Sequence, residues 1–290
     1  MKHNRFCLAF LVTFILLAIT TWSLKYDPDE GQRCVYLSAS TACDPKTYTT
    51  RTYVGPIAGF NATISFTDKV HDAAGLVGYL PSRKAIYVVY RGTTGAKNWM
   101  DDLEISKVSY STWPECNCQV HKGWFNSMKT NIDMVANEVN RLRTKFPDYH
   151  VILTGHSMGG AETHLCSMEL LKRNIPVYAV YNFGQPRVGD SKYASFANTK
   201  VKDFTFRIVH HQDIVPHTPM QALGFQHVCT EMYEPNSVFD GTIKTCGTWD
   251  SCGCEDKSCS DQWGTLDLST DDHVHYLGLY MNCASVSVSL

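Results

Sequence analysis

The chain has 290 residues, 44% of them hydrophobic and 19% charged, which is the composition of a globular protein that buries a sizeable core. Its formal net charge of −2 excludes a general affinity for anionic polymers or anionic lipid surfaces, so nucleic acid is not expected as a partner.

The N-terminus has the pattern of a secretory signal peptide. Lys2 and Arg5 precede an apolar stretch at 6–19, which is followed by small polar residues. The stretch is shorter than a comfortable membrane span, so we expect residues 1–23 to be cleaved as a signal, with an uncleaved signal anchor as the alternative. The mature protein is then expected to be secreted (extracellular), with no integral membrane segment, and to form one domain at 24–290.

Strands alternate with helices along the middle of the chain. Apolar runs and helical spacing of apolar residues predict, in chain order, a strand at 85–90, a helix at 124–145, a strand at 149–154, a helix at 160–173, a strand at 177–183, a helix at 192–197 and a strand at 205–209. This alternation favours an α/β fold with a mostly parallel central sheet and helices on both faces. Sites in such sheets lie at the carboxyl ends of the strands.

The pentapeptide Gly155-His156-Ser157-Met158-Gly159 stands between the strand at 149–154 and the helix at 160–173. It matches G-x-S-x-G, the strand–turn–helix motif that exposes a nucleophilic serine. The two glycines allow the strand and the helix to pass close to each other. The motif and its context therefore predict that Ser157 is a nucleophile.

A serine nucleophile needs a carboxylate to orient its base, and with this motif the acid follows the serine in the chain. Asp213 is best placed, because it comes just after the strand at 205–209. Asp190 and Asp203 are the alternatives. Each is more simply explained as a solvated loop carboxylate.

The base must be a histidine that follows the acid. His217 is too near Asp213 in the chain to reach the serine independently, and His227 adjoins a cysteine-rich segment where a surface role is plausible. His273 and His275 remain, and their spacing does not decide between them.

Two backbone amides are expected to stabilise the oxyanion of an acyl-transfer reaction. The amide of Met158, at the start of the helix after the serine, is one of them. The other is expected from Thr93, in the turn that ends the strand at 85–90, where the threonine hydroxyl is also available.

Cysteine usage indicates an oxidising compartment. Of the 12 cysteines, Cys7 leaves with the signal, and Cys166 lies among apolar residues on a predicted helix, where we expect it to be unpaired. The other ten allow five disulfides. Half of these ten fall at 229–263, which we interpret as a disulfide-stapled insertion. The alternative is a zinc site on Cys246, Cys252, Cys254 and Cys259, although structural zinc clusters favour C-x-x-C pairs.

Asn61-Ala62-Thr63 is a sequon for N-glycosylation. On a secreted surface it predicts a glycan at Asn61. The apolar neighbours of the sequon make burial in a strand the competing interpretation.

Seven motifs, spread over roughly 54–283, resemble in kind and order those of the class 3 lipases, a family that includes secreted fungal triacylglycerol lipases and feruloyl esterases. The motifs are Tyr90-Arg91-Gly92-Thr93, Asn98-Trp99, Val120-His121-Lys122-Gly123-Trp124, Gly155-His156-Ser157-Met158-Gly159-Gly160, Gly184-Gln185-Pro186-Arg187-Val188-Gly189, Asp213-Ile214-Val215-Pro216 and His273-Val274-His275-Tyr276-Leu277-Gly278.

The resemblance implies an α/β-hydrolase fold and decides points that the residues alone leave open. It implies that His273, not His275, is the catalytic base, and it supports Asp213 as the acid and Thr93 at the oxyanion. It also implies a disulfide between Cys34 and Cys283. The family's disulfides do not cover the cluster at 246–259, so the role of the insertion stays open.

The resemblance further implies a lid at 94–103, with Trp99, Met100 and Leu103 as its apolar, substrate-facing members. The competing interpretation is that these three side chains simply pack into the body of the protein. An apolar lid favours long-chain lipid esters, so we expect a triacylglycerol lipase that acts at a lipid–water interface without a cofactor or metal. The alternatives are a phospholipase, a galactolipase or a feruloyl-type esterase on the same scaffold, and a non-catalytic lipid-binding protein.

Overall fold

The computed structural model describes residues 23–93, 105–247 and 254–287. The predicted signal at 1–23, except for its last residue, lies outside the described residues. So do the predicted lid residues Trp99, Met100 and Leu103, and Cys252 of the insertion.

Four α-helices and twelve strands occur in the described part of the chain. The helices are α1 (Pro28–Ser40), α2 (Lys122–Lys145), α3 (Met158–Lys172) and α4 (Ser191–Val201). The strands are β1 (Asn61–Asp68), β2 (Ala73–Leu80), β3 (Ala85–Tyr90), β4 (Lys107–Ser109), β5 (Gln119–His121), β6 (His150–His156), β7 (Ala179–Phe183), β8 (Thr205–His210), β9 (Glu231–Glu234), β10 (Lys244–Cys246), β11 (His275–Tyr276) and β12 (Leu279–Tyr280). The seven predicted helices and strands are all confirmed, with small shifts at their ends.

Eight strands form one sheet in the order β1-β2-β3-β6-β7-β8-β9-β10. The five central strands, from β3 to β9, pair in parallel, and the outer pairs are antiparallel. Both β3 and β8 are buried along their whole length, as expected for strands covered on both faces. The predicted α/β fold with a mostly parallel sheet is therefore confirmed.

The core lies in two layers, one on each face of the sheet. On β3, Tyr87 and Val89 pack in the layer that contains α1, whereas Ile86 and Val88 pack in the layer that contains α2, α3 and α4. This alternation follows from the two-residue period of a strand. Both faces of the sheet are apolar, and both are covered by helices. This packing on two sides holds the strand ends that carry the candidate site in place.

Helix α1 was not predicted, although its start carries a recognisable signal. Asp27 accepts hydrogen bonds from the backbone amides of Asp29 and Glu30, and Pro28 occupies the first helical position. Further into the fold, the buried carboxylate of Glu30 accepts hydrogen bonds from Arg83 (3.0 Å) and Tyr87. Because Glu30 is an acidic residue on the buried side of the helix, the sequence of α1 lacks a clear separation of apolar and polar faces.

Four disulfides are present among the described cysteines: Cys43–Cys283, Cys116–Cys118, Cys229–Cys254 and Cys246–Cys259. Cys166 is buried and unpaired, as predicted. The zinc interpretation is wrong, because three of its four proposed ligands are in disulfides.

The Cys34–Cys283 disulfide implied by the family resemblance is wrong, and so is the expectation that all ten remaining cysteines pair. Cys34 is a free, fully buried thiol. It lies in the middle of α1, where its backbone oxygen accepts a hydrogen bond from Thr154 of β6 at 3.4 Å, so the helix faces the sheet at this point. Cys43 follows the end of the helix, with its Cα 4.7 Å from that of Cys283. Cys283 therefore pairs with Cys43, which lies beyond the end of α1, and not with Cys34, which lies inside the helix.

No helix within the described ranges combines the length and apolar character that crossing a membrane requires.

Candidate active site

Ser157 stands at the sharp turn between β6 and α3, with a φ of 59°. The turn requires its glycines. A Cβ on Gly155 would lie 2.3 Å from the carbonyl oxygen of Gly159, and a Cβ on Gly159 would lie 2.4 Å from that of Tyr90. A backbone amide hydrogen bond from Ser157 to Phe183 O, 2.9 Å long, ties the turn to β7. The sequence therefore folds locally into the strained elbow that the motif predicts.

Asp213 follows the end of β8 and is fully buried. Its Oδ2 accepts a hydrogen bond from His273 Nδ1 at 2.8 Å and another from the hydroxyl of Tyr276, and its Oδ1 accepts one from the amide of Val215 at 2.8 Å. Burial alone would raise the pKa of Asp213, but the charge of His273 and these three donors outweigh it and hold the pKa below its ordinary value. Asp213 is therefore an ionised, fully engaged carboxylate.

His273 is buried in a short 3-10 turn just before β11. Its Nδ1 donates to Asp213, so the lone pair of the neutral ring is on Nε2. Within the described residues, neither His273 Nε2 nor Ser157 Oγ has a hydrogen-bond partner, and both atoms are buried. This arrangement leaves one unengaged basic nitrogen and one unengaged hydroxyl, the two groups that a nucleophile–base pair requires.

Two residues that support His273 were not singled out from the sequence. The hydroxyl of Tyr276 donates to the same oxygen of Asp213 as His273 does, and burial followed by the charge of Asp213 raises its pKa well above the ordinary value, so the hydroxyl keeps its proton. His156 lies 2.7 Å from the carbonyl oxygen of His273 through Nε2, and the two rings stack with centroids 4.4 Å apart. Burial, followed by the charge of His273, lowers the pKa of His156 to about 3. It is therefore a neutral ring that donates a hydrogen bond.

The other histidine of the C-terminal pair lies away from Asp213. His275 is exposed, and its Nδ1 is 2.9 Å from the backbone oxygen of Asp271. The structure thus places His273, and not His275, against the carboxylate. The choice that spacing left open is decided by the turn at 272–274, which directs one side chain inward and the other outward.

The other candidates have structural contacts of their own. Asp190 caps α4 by accepting a hydrogen bond from the amide of Tyr193 at 2.8 Å, and Asp203 forms a salt bridge with Lys202 at 2.7 Å. His217 contacts the backbone carbonyl of Asp213 itself, and His227 contacts that of Pro216. None of these four is brought to His273 or Ser157 by a contact among the described residues.

The two predicted oxyanion residues lie on either side of the elbow. Met158 is the first residue of α3, where amides have no partner within the helix and the helix dipole favours negative charge. Gly92 packs against the elbow, since a Cβ there would lie 2.9 Å from His156 O and 3.2 Å from the Cβ of Ser157. The next residue, Thr93, has a buried hydroxyl with no partner in the described part of the chain. The Thr93 hydroxyl, unpartnered among the described residues, therefore belongs to the residue next to Gly92, which packs against the elbow.

A cavity of about 450 Å³ opens beside this turn and is lined by Arg91, Gly92, Thr93 and His156 from the site, together with residues of α1 and the C-terminal strand pair. A larger cavity of about 780 Å³ lies between residues 23–32 and strands β8 to β10. The smaller cavity is lined by Thr93 and by His156, the neighbour of Ser157, whereas the larger cavity is lined by none of the candidate site residues.

The chain is similar to known lipases. Residues 87–223 match the family model described as lipase (class 3). The chain is 33% identical to a lipase of Rhizomucor miehei over 215 residues, covering 72% of this chain and 56% of that protein. It is 26% identical to secreted mono- and diacylglycerol lipase 1 of Fusarium solani, covering 71% of this chain and 60% of that protein. The chain thus spans somewhat more than half the length of these curated relatives.

The fold is also that of a solved structure. The structure of the Rhizomucor miehei triacylglyceride lipase superposes with a TM-score of 0.79 at 29% identity, and the superposition covers 88% of this chain and 96% of that one.

Proposed function

Because this chain belongs to the class 3 lipase family, we propose that it is a secreted serine hydrolase that cleaves the carboxylic ester bonds of acylglycerols. The observation that carries the proposal is the hydrogen bond of 2.8 Å between His273 Nδ1 and Asp213 Oδ2. It leaves the second nitrogen of His273 unengaged in a fold whose strained elbow carries Ser157.

In the proposed reaction, Ser157 Oγ attacks the acyl carbon of the ester, and its proton passes to His273 Nε2. Asp213 orients the imidazole and stabilises the imidazolium ion. The amides of Thr93 and Met158 bind the oxyanion of the tetrahedral intermediate. When the intermediate collapses, the ester C–O bond breaks and His273 gives its proton to the departing alcohol. Water then hydrolyses the acyl-enzyme through the same steps and releases the carboxylic acid.

The assignment of acylglycerols rests on the relatives. One similar protein is named as a triacylglyceride lipase and another as a mono- and diacylglycerol lipase. We propose the triacylglycerol as substrate, with Trp99, Met100 and Leu103 in the lid that contacts its acyl chains. An apolar lid would open at a lipid–water interface, where its apolar face is buried in lipid.

Secretion is supported by the four disulfides, which persist in oxidising compartments, and by the secreted relative from Fusarium solani. Asn61 is exposed at the first position of β1, which is compatible with the proposed glycan. These features agree with a protein that meets its lipid substrate outside the cell.

A substrate panel tests the proposal. Purified protein is given emulsified triacylglycerol, monoacylglycerol, phospholipid, galactolipid and a feruloyl ester, each above and below the concentration at which it forms an interface. We expect the highest kcat/KM on triacylglycerol, a rise in rate when the interface forms, and no hydrolysis by Ser157→Ala. The matched control is Ser167→Ala, which changes a buried serine of α3, the helix that follows Ser157. This variant should remain active. A preference for soluble feruloyl ester, or hydrolysis by Ser157→Ala, would overturn it.

A further inference from the structure

Arg187 is a buried arginine, only 3% exposed, that binds the backbone after Asp213. Its Nη1 donates to the carbonyl oxygens of His217 (2.5 Å) and Pro219 (3.1 Å), and its backbone amide donates to that of Thr218 (2.8 Å). Arg187 thus binds the carbonyl groups of three consecutive residues, 217–219, through its side chain and its backbone amide. The segment at 213–219 has no regular strand or long helix of its own, so such contacts determine where it lies.

The other side of the Arg187 guanidinium faces two carboxylates: Glu255, which accepts hydrogen bonds from it, and Asp261, which lies 3.9 Å from Nη2. The guanidinium donates from Nε to Glu255 Oε1 at 2.8 Å and from Nη2 to Glu255 Oε2 at 2.9 Å. A two-pronged contact of this kind fixes both distance and orientation. Glu255 also accepts a hydrogen bond from the amide of His227 at 2.9 Å, and His227 Nε2 lies 2.6 Å from the carbonyl oxygen of Pro216. The carboxylate of Glu255 therefore orients both Arg187 and His227, the two residues that contact the segment at 213–219.

A second contact joins the same two regions. The ring of His217 lies between two carbonyl oxygens, with Nδ1 2.9 Å from Asp213 O and Nε2 3.1 Å from Ser260 O. Ser260 is itself fixed, because its amide donates to Glu231 of β9 at 3.0 Å. The imidazole of His217 thus lies between the backbone of Asp213 and the cysteine-rich region, and as a neutral ring it donates to one of these two oxygens.

Both contacts come from residues next to half-cystines. Glu255 follows Cys254, which is joined to Cys229, and Ser260 follows Cys259, which is joined to Cys246 of β10. We call residues 254–263 the clasp. The two disulfides join the clasp to the edge of the sheet, through Cys229 just before β9 and through Cys246 in β10. The half-cystines of the clasp are the direct neighbours of Glu255 and Ser260, which contact the residues that bind the Asp213 segment.

We propose that the clasp positions Asp213 for catalysis and that Glu255 is its main positioning residue. The proposal rests on the proposed function for its catalytic consequence. Asp213 must keep its contact with His273 within a few tenths of an ångström, whereas segments without regular structure are ordinarily mobile. Replacement of Glu255 by a neutral side chain removes the nearer counter-charge of the buried Arg187 guanidinium and both hydrogen bonds that orient it, and leaves only Asp261, 3.9 Å from Nη2. The segment at 213–219 then loses the orientation of the side chain that grips it.

Glu255→Gln is the test variant, and Glu138→Gln is its matched control. Glu138 makes the same two-pronged contact with Arg141, at 2.8 and 2.7 Å, but within α2. We expect kcat of Glu255→Gln to fall by about 10- to 100-fold, as a small misplacement of a catalytic group does, with KM changed by less than about twofold. Glu138→Gln should keep the wild-type kcat. An unchanged kcat in Glu255→Gln would overturn the proposal.

Amide hydrogen exchange provides a readout that does not depend on turnover. Peptides that contain residues 213–219 should exchange faster in Glu255→Gln than in wild type, and at the wild-type rate in Glu138→Gln. Glu255→Asp keeps the charge, so it should restore most of the protection and of kcat. Arg187→Lys keeps the positive charge but loses the two-pronged contact, so it replaces the glutamine variant if that protein does not fold, and it should show the same faster exchange. Exchange at the wild-type rate in Glu255→Gln, or in Arg187→Lys where that variant replaces it, would refute the clasp. Wild-type protein that lacks hydrolase activity would refute the proposed function alone.

Discussion

The backbone carbonyl oxygen of His273 lies 2.7 Å from Nε2 of His156, the residue that directly precedes the nucleophilic serine. The strand that delivers the serine therefore also binds the turn that delivers the histidine. Since burial and the charge of His273 lower the pKa of His156 to about 3, this ring stays neutral at every pH at which the protein would work, and its Nε2–H remains available to donate.

We expect His156→Leu to reduce kcat by about tenfold, because the buried carbonyl of His273 loses its donor, and an unsatisfied buried group costs about 1–3 kcal/mol. His156→Gln, whose amide can donate, should recover part of the rate. The measurement is steady-state hydrolysis by both variants. Equal rates for leucine and glutamine would show that the hydrogen bond does not matter.

Glu162 gives the folded protein a pH dependence that runs opposite to that of a typical carboxylate. It is fully buried on α3, and burial raises its pKa from 4.5 to about 8, because the opposing effects of the Ser127 hydroxyl and the charge of Arg91 are smaller. Above pH 4.5 the unfolded chain ionises this group while the folded protein keeps the proton. The contribution of Glu162 to the free energy of unfolding therefore falls from about pH 4.5 to about pH 8.

Glu162→Gln should remove that dependence and raise the free energy of unfolding at pH 7, by an amount on the order of 3 kcal/mol. Urea unfolding of wild type, Glu162→Gln and the control Glu138→Gln between pH 4 and pH 8 measures it. The pKa of Glu138 is lowered by its hydrogen bond with Arg141, so its contribution is present above its unfolded pKa and is lost in acid. If Glu162→Gln follows the wild-type slope between pH 5 and pH 8, the buried carboxyl is not protonated in the folded state.

The disulfide between Cys43 and Cys283 closes a loop of 240 residues. We expect the double variant Cys43→Ser and Cys283→Ser to lose about 2–5 kcal/mol of stability, because the unfolded chain regains the freedom that the cross-link removed. Cys34→Ala, which removes a free thiol, should cost markedly less. Denaturant unfolding compares them, and peptide mapping without reductant identifies the partner of Cys283. A Cys34–Cys283 peptide would contradict this pairing.

The sequence was sufficient for the parts of the site that are built locally. The G-x-S-x-G pattern between a buried strand and a helix gives the elbow, and the position of Asp213 after β8 gives the acid, because both depend on neighbours in the chain. His273 and His275 could not be separated by spacing, since both come from one short segment. The family resemblance favoured His273, and the turn at 272–274 is the physical reason why only that ring reaches Asp213.

Contacts between distant residues were beyond the sequence. His156 and Tyr276 gain their roles from residues 117 and 63 positions away, and no local pattern reports such contacts. The pairing of Cys283 with Cys43 depends on which face of α1 turns toward the sheet, and that helix was not predicted. Similarly, the clasp joins Arg187 to Glu255 across 68 residues, so the insertion could be recognised from its cysteines while its contacts could not.

The most direct test of the account is the site and rate of organophosphonate labelling. We expect one label per chain, located on Ser157 by peptide mass spectrometry and absent from Ser157→Ala. The rate of labelling should fall by at least about 100-fold in His273→Ala, since general-base assistance contributes roughly 10²–10⁴-fold, and should stay near the wild-type rate in His275→Ala. A stoichiometric label on another residue, or labelling that His275→Ala impairs and His273→Ala does not, would contradict it.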